Sequence, residues 1–325
     1  MYWIIQNNLW NELNFTNVVE TLERMNIPHE IVKVIPFVDE LADSNNEVDE
    51  KYVPPTDLPV YICGGTTLVK IAQKKGWIPG AFLNENFNAI KHNEVWGELM
   101  LNYNAIQSTF GDLSKPSWIT DNSKDQFFIR PVNDDKSFAG HVTTWDAFKI
   151  WQKKVIKLRD TYTSLNANTE LIVAPIKEIY KEYRFFIVDQ KIATHSLYKL
   201  GNRVAPRNDF IDDDLRMFVN QCIWKWQPDR AFVIDIAETP DGFKIVEINC
   251  INSSGFYACD VVALIEAIEF MTFKEFPDHT EFQELSYSIN QIILETRASE
   301  MTVAEVYEMF GLDFNKDCKD GRSST

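Results

Sequence analysis

Cysteine is sparse and unpaired in this chain: Cys63, Cys222, Cys250, Cys259 and Cys318 form an odd, scattered set with no Cys-x-x-Cys spacing. Such a set builds neither a zinc knuckle nor a disulfide framework and fits structural thiols in a reducing compartment. Basic charge is also short, with 32 Lys and Arg against 48 Asp and Glu and a net charge of −16. A protein that follows a nucleic-acid backbone carries a dense basic face. Its absence disfavours nucleic acid as a main partner, while leaving room for a small basic cleft around an anionic ligand. No apolar run approaches the roughly 20 residues of a membrane helix. The opening MYWIIQNNLWNELNF lacks the basic start of a secretory signal. The expectation is a cytoplasmic protein with no membrane partner. Internal repeats are missing too, as is any Ser-His-Asp or Cys-His signature.

What is present is core-forming material. Hydrophobic residues make up 45% of the 325 residues and aromatics 13%, enough for about two domains with a sizeable buried core. Residues 1–115 alternate strand and helix signals: strands at 1–5, 31–35 and 60–63, a helix at 16–25 capped by Thr16, and a helix at 68–75 after the GGTT of 64–67. This βαβ pattern predicts a small open parallel sheet. The Gly-Gly junction is either an anion cradle at a helix N-terminus or a tight turn. The polar stretch DLSKPSWITDNSKD (112–125) then divides the chain. Beyond it come the strand FFIRPV (127–132), the loop 133–141, and an amphipathic helix starting near Thr144. A strand follows at 171–174, then a hairpin over 182–198 turning near Asp189-Gln190, a helix over 212–226, and a second hairpin over 231–249 turning at Pro240-Asp241-Gly242. A helix over 259–271 precedes a C-terminal extension.

The second hairpin raises a chemical question. Glu247 and Asn249 share one face of an apolar strand, because strand side chains alternate, and the Asp-Gly turn folds Asp235 back beside them. Two carboxylates about 4 Å apart repel by roughly 4 kcal/mol at an effective dielectric near 20. A shared proton relieves this; Mg²⁺, which takes oxygen ligands together with substrate phosphates, relieves it better. The other reading is a polar, solvent-facing side of an edge hairpin. Basic residues accompany the trio in order along the chain: Arg130 before Pro131, Lys136 in the loop, and Arg184 directly before two phenylalanines. Five scattered histidines read as packing or surface groups, with His141 and His195 flanking the predicted cleft.

The order FIRP, a loop with Lys and Gly, EYRFF, VIDIA and VEIN resembles the ATP-grasp superfamily. It is similar in particular to the ATP-grasp subgroup common in bacteriophages and bacteria, through RPVNDDKSFAG, EYRFFIVDQKI and NCINSSGFYACD. The resemblance is clear over about 120–265 and looser before that. It implies an α/β and α+β molecule of ATP-grasp fold: an N-terminal α/β domain over 1–115, a two-lobed ATP-grasp domain over 116–275 with a hinge near 173–177, and a helical extension over 276–325.

It further implies ATP and Mg²⁺ as cofactors. By position, Asp235, Glu247 and Asn249 match the metal ligands, and Arg130 stands where many members have a phosphate-binding lysine. Lys136 lies in the loop over the phosphates, and Val173, Ala174, Ile176 and Lys177 match the adenine hinge. Glu178 matches the acidic position near the ribose, and Arg184 the arginine facing the transferred phosphoryl group. The implied activity is an ATP-dependent ligase joining a carboxylate to an amine or a thiol through an acyl phosphate, in a bacterial or phage-infected cell. The alternatives are a phosphotransferase and a nucleotide-binding regulator without turnover. Substrates would be small-molecule, amino-acid or peptide carboxylates and amines, with Tyr198, Arg203, Arg207, Ser253 and Ser254 as candidate contacts. The usual Pro-Gly after Glu-x-Asn is replaced here by Ile251-Asn252-Ser253-Ser254-Gly255, and the loop at 133–140 is poor in glycine. Both departures bear on the shape of the acceptor site.

Overall fold

The computed structural model describes residues 1–7, 13–35, 41–42, 48–49, 53–82, 87–120, 122, 124–133, 137–157 and 164–275. Lys136, His279, Cys318 and the extension 276–325 lie outside them. The described residues form three sheets.

The first sheet contains β1 (Tyr2–Gln6), β2 (His29–Val34), β3 (Leu41–Ala42), β4 (Val48–Asp49), β5 (Val60–Cys63) and β6 (Pro79–Gly80), in the order β4-β3-β2-β1-β5-β6. Its centre is parallel, as the βαβ pattern requires, and β3 and β4 add antiparallel at one edge. Helix α1 (Phe15–Arg24) turns Phe15, Val18, Val19 and Leu22 onto Met1, Trp3 and Ile5. Thr16 does not cap it. Asn14 occupies the cap position with φ 69° and makes no side-chain cap bond; its Oδ1 accepts instead from Asn17 Nδ2 at 2.8 Å. Helix α2 (Thr66–Lys75) follows the Gly-Gly junction. There the amide of Gly64 donates to Asn252 O at 2.8 Å, and that of Gly65 to Gln6 Oε1 at 2.8 Å. These donors are spent on protein acceptors, so the junction is a docking turn. A Cβ at Gly64 would lie 2.6 Å from Leu68 Cδ2 and 2.8 Å from Gln6 Cβ, so a larger residue would require those side chains to shift.

Helix α3 (Ala89–Trp96), capped by the Asn88 side chain, leads to a four-stranded antiparallel sheet. It contains β7 (Ile106–Thr109), β8 (Gln126–Pro131), β9 (His141–Thr144) and β10 (Glu170–Pro175), ordered β7-β10-β8-β9. Strand β7, N-terminal to the expected boundary at 115, already belongs to this second sheet through its pairing with β10. Helix α4 (Trp145–Lys157) packs Phe148 and Val155 against Phe127, Ile129, Leu171 and Val173.

The third sheet is antiparallel and five-stranded: β11 (Lys181–Val188), β12 (Lys191–Leu200), β13 (Arg203–Arg207), β14 (Ala231–Thr239) and β15 (Gly242–Cys250), ordered β13-β12-β11-β14-β15. One face carries Phe185, Ile187, Phe232, Ile234, Ile245 and Ile248 onto Leu215, Val219 and Ile223 of α5 (Asp213–Lys225). Each such fully buried side chain contributes about 1.5–3 kcal/mol. The opposite face divides along its length. Phe186, Val188, Ala231 and Val233 pack on α6 (Val261–Glu275) and on Trp3, Ile5 and Tyr61 of the first sheet. The remaining positions of that face are polar and form the candidate site.

Two connections fix the lobes. Asn252, 1% exposed, donates to Ile62 O (2.6 Å) and accepts from the Phe82 amide (2.7 Å), so the turn after β15 is bolted to the first sheet. The edge of β15 is covered by Leu101, whose amide donates to Ile245 O at 2.8 Å, and an edge so occupied is closed to further pairing.

Candidate active site

The site grows out of register. Arg184 of β11 pairs with Asp235 of β14, which pairs with Glu247 of β15. Residues directly opposite in an antiparallel ladder share a face, so three charged groups line up across the sheet. Asp235 has no exposure and Arg184 is 7% exposed. The guanidinium grips the carboxylate with both prongs, Nε to Oδ1 at 2.9 Å and Nη2 to Oδ2 at 2.8 Å, and Nη1 donates to Gly255 O at 3.2 Å. Burial pushes the Asp235 carboxyl up to about 6; Arg184 opposes the shift, while Glu247 and Glu182 add to it.

Two β-bulges aim the neighbouring side chains. Counting pairs from Thr239–Gly242 at the turn would set Asp235 against Val246 and send Glu247 to the α5 face. An irregularity between Asp235 and Ile236 absorbs Val246 and keeps Glu247 opposite Asp235. A second bulge, in the β11–β12 pairing between Glu182 and Tyr183, directs both Tyr198 and Lys199 to Glu182. The Tyr198 hydroxyl donates to Glu182 Oε2 at 2.7 Å, and Lys199 Nζ to Oε1 at 2.5 Å.

Glu247 reaches outward. Asn249 Nδ2 donates to its Oε1 at 3.0 Å, and Arg130 Nη1 of β8 lies 3.4 Å from its Oε2. That last contact crosses from the second sheet to the third. Gly140 lies close against β8, where a Cβ would sit 3.1 Å from Phe128 Cζ and 3.2 Å from Arg130 Cβ.

The structure thus brings Arg130, Arg184, Asp235, Glu247 and Asn249 together, with Tyr198 beside Arg184. Val173 and Ala174 are buried in β10. Ile176, Lys177 and Glu178, in the link between the second and third sheets, line a cavity of about 330 Å³ with Met100, Leu101, Tyr103 and Lys244. Ser254 is buried and its hydroxyl donates to Cys250 O at 2.8 Å, holding the turn after β15; Ser253 lies in the same 3₁₀ turn. Arg203 and Arg207 do not join the cluster. They sit on edge strand β13 opposite Leu200 and Leu197, which pack toward α5, and Arg207 pairs with Asp209 at the surface (3.7 Å). Of the histidines, His195 lies against Phe185 and bonds Asp209 O, and His141 bonds Ala139 O.

Tyr257, Gly255 and Lys199 are not among the residues that the sequence singles out. Glu182 shares the face of Arg184 by simple alternation. Tyr257 carries no such signal, since it arrives from a turn eight residues beyond Asn249 in the chain.

Among the described residues, no three His, Cys, Asp or Glu side chains are grouped to hold a metal. The Asp235–Glu247–Asn249 set consists instead of two carboxylates and a carboxamide. It is all oxygen on the accepting side, which suits Mg²⁺ completed by phosphate oxygens.

An antiparallel lobe carrying the arginine of β8, a second antiparallel lobe carrying Arg184 and the acidic set, and a leading parallel domain define an ATP-grasp fold. Residues 27–268 match a family of ATP-grasp domains, the third family of its clade, and the chain belongs to that family. The structure is similar to that of the D-cycloserine synthetase DcsG at a TM-score of 0.51 and 9% identity, covering 82% of this chain and 98% of that one. It resembles a D-alanyl-alanine synthetase A from Vibrio cholerae O1 biovar eltor at the same TM-score of 0.51 with 12% identity, covering 91% of this chain and 99% of that one. At these identities the likeness is one of fold. No curated protein sequence matches the chain. No helix among the described residues is long and apolar enough to cross a membrane.

Proposed function

We propose that the protein is an ATP- and Mg²⁺-dependent ligase that activates a carboxylate and joins it to an amine. The observation that carries this reading is the convergence of Arg184, Asp235, Glu247 and Asn249 with Arg130, contributed by two different lobes. ATP as co-substrate would supply the phosphoryl group that makes the carboxylate reactive, and Mg²⁺ held by Glu247, Asn249 and Asp235 would offset its charge. Arg130 and Arg184 then supply fixed positive charge where negative charge gathers during transfer, in a chain that is acidic overall. Asp235 holds the Arg184 fork in one plane. Arg130 and Glu247 already touch across the lobes, so both groups face the cleft that a nucleotide would enter. The link from Pro175 to Lys181 is the segment about which the lobes would close. The buried Val173 and Ala174 with the exposed Ile176, Lys177 and Glu178 would meet adenine and ribose there. The two fold relatives are by name synthetases of D-cycloserine and D-alanyl-alanine, so amino acids and small peptides are the substrates to screen first. A bacterial or phage-infected cytoplasm belongs to the same reading.

The test is ADP release across a panel of amino acids and peptides, with hydroxylamine as acceptor. Hydroxamate formation supports the ligase. ADP release onto a hydroxyl substrate without hydroxamate indicates a phosphotransferase, and nucleotide binding without ADP release indicates a regulatory binder.

A further inference from the structure

Tyr257 has φ 49°. A bulky side chain rarely takes this left-handed backbone, and such strain persists only where the surroundings over-determine it. Here they do. Asn14 Nδ2, just before α1, donates to the carbonyls of Tyr257 (2.5 Å) and Cys259 (3.4 Å). From β12, Ser196 Oγ accepts the Ala258 amide at 3.2 Å and Thr194 Oγ1 accepts the Asp260 amide at 2.9 Å. Anchors from two domains therefore force one turn into a conformation its sequence does not favour.

The product of that strain is a stack. The Tyr257 ring lies on that of Tyr198 with centroids 4.8 Å apart and planes 12° from parallel. Arg184 Cζ stands 5.0 Å from the Tyr257 centroid and 5.6 Å from that of Tyr198. Tyr198 is in turn fixed by its bond to Glu182. A guanidinium carries five N–H donors. Asp235 takes one on Nε and one on Nη2, and Gly255 takes one on Nη1, which leaves one donor on each Nη. In-plane bonds to Asp235 set the direction of the fork but resist tilting out of plane weakly. Aromatic faces within 6 Å hold a cation against that tilt, because the ring quadrupole attracts it.

We propose that Tyr257 is a positioning residue: its left-handed backbone seats its ring on Tyr198, and the stacked pair holds the Arg184 guanidinium with its two remaining donors turned to the phosphoryl group in transfer. This rests on the reading of Arg184 as a phosphate-facing cation, so the experiment has one arm that needs no turnover. Side-chain ¹⁵N spectra of the ligand-free full chain follow hydrogen exchange at Arg184 Nε, assigned by its loss in Arg184→Lys. Tyr257→Phe keeps the ring and should exchange as the wild type does. Tyr257→Leu keeps apolar volume without a π face and should exchange about tenfold faster, the scale of one cation–π contact. In the second arm, Tyr257→Leu should lower kcat for ADP release about tenfold with the calorimetric Kd for ATP nearly unchanged, and Tyr257→Phe should restore it. Should Tyr257→Leu fail to fold, Tyr257→Gly, which takes positive φ without strain, carries the same comparison. Exchange at Arg184 in the ring-less variant within about twofold of wild type, or a Phe variant as impaired as the Leu variant, overturns the proposal. A wild type that releases no ADP defeats the functional reading, and the exchange arm still decides the role of Tyr257.

Discussion

The site holds two arginine–carboxylate pairs of the same chemistry in opposite settings. Arg184 and Asp235 lie side by side within one sheet, almost without exposure, joined by two short parallel hydrogen bonds. Arg130 and Glu247 meet from different sheets, 3.4 Å apart, with side chains 16% and 34% exposed. A buried pair is expensive to break, because removing one partner strands the other charge in a poorly solvating interior. A partly exposed pair with a long contact contributes less and breaks more readily. The difference separates scaffold from moving part. On the proposed reading the first pair would be architecture that orients a cation, and the second would part when a ligand enters between the lobes.

The sharpest way to break that comparison is to delete each carboxylate in turn. Asp235→Ala should cost about 3–5 kcal/mol of stability, since it leaves Arg184 buried without its counter-charge. Urea denaturation of the variant against the wild type measures it. A loss below about 1 kcal/mol would mean that water reaches Arg184 and that the pair resembles an exposed one.

Glu247→Ala should do the reverse. Its stability should stay within about 1 kcal/mol of wild type, while ADP release should fall by about 10³-fold, because a carboxylate that would hold Mg²⁺ against the phosphates is lost. EDTA should abolish wild-type turnover and leave the unfolding midpoint in place. A variant that unfolds while the wild type ignores EDTA would make the acidic set structural.

Arg184→Lys keeps the charge and removes the fork. Lysine cannot offer parallel bonds to Asp235 while leaving donors for a ligand. Turnover should drop about 100-fold with a much smaller change in ATP affinity, as for a contact that strengthens during transfer. Steady-state kinetics beside calorimetry separates the two quantities, and unchanged kcat would remove Arg184 from the mechanism.

Why the two settings differ was only partly legible in the sequence. The apolar alternation of FFIV and VIDIA reads directly as strands, and the Asp-Gly turn folds the strand of Asp235 against that of Glu247 and Asn249. Alternation also puts Arg184 on a buried strand. What alternation cannot give is the bulge that absorbs Val246, since strict pairing from the turn would send Glu247 to the α5 face. Nor does spacing reveal that Arg203 and Arg207 fall opposite Leu200 and Leu197 on the far face. Tyr257 escapes for another reason: its place depends on Asn14, 243 positions away in the chain. The cap expected at Thr16 fails because the helix begins at Phe15, with Asn14 at the cap position and tied to Tyr257. Local rules hold where the chain answers to its own strand, and fail where a distant group sets the geometry.

The smallest effect concerns the outer pair. Arg130→Lys should leave stability within about 0.5 kcal/mol of wild type, because a partly exposed contact at 3.4 Å gains little from the fork it gives up. Lysine still places a point charge at the mouth of the cleft, where phosphate needs charge more than planarity. Turnover should therefore fall by about tenfold or less, well short of the loss at Arg184→Lys. Salt sharpens the contrast. Exposed charges are screened over about 8 Å at 0.15 M ionic strength, so added salt should weaken ATP binding through Arg130 more than through the buried Arg184. Calorimetric titrations of ATP at rising ionic strength check this: Arg130→Lys should keep the wild-type salt dependence, and Arg130→Ala should flatten it. An Arg130→Ala variant as sensitive to salt as the wild type would mean that the salt-sensitive cation on the phosphates is another residue, and Arg130 would lose its place at the cleft mouth.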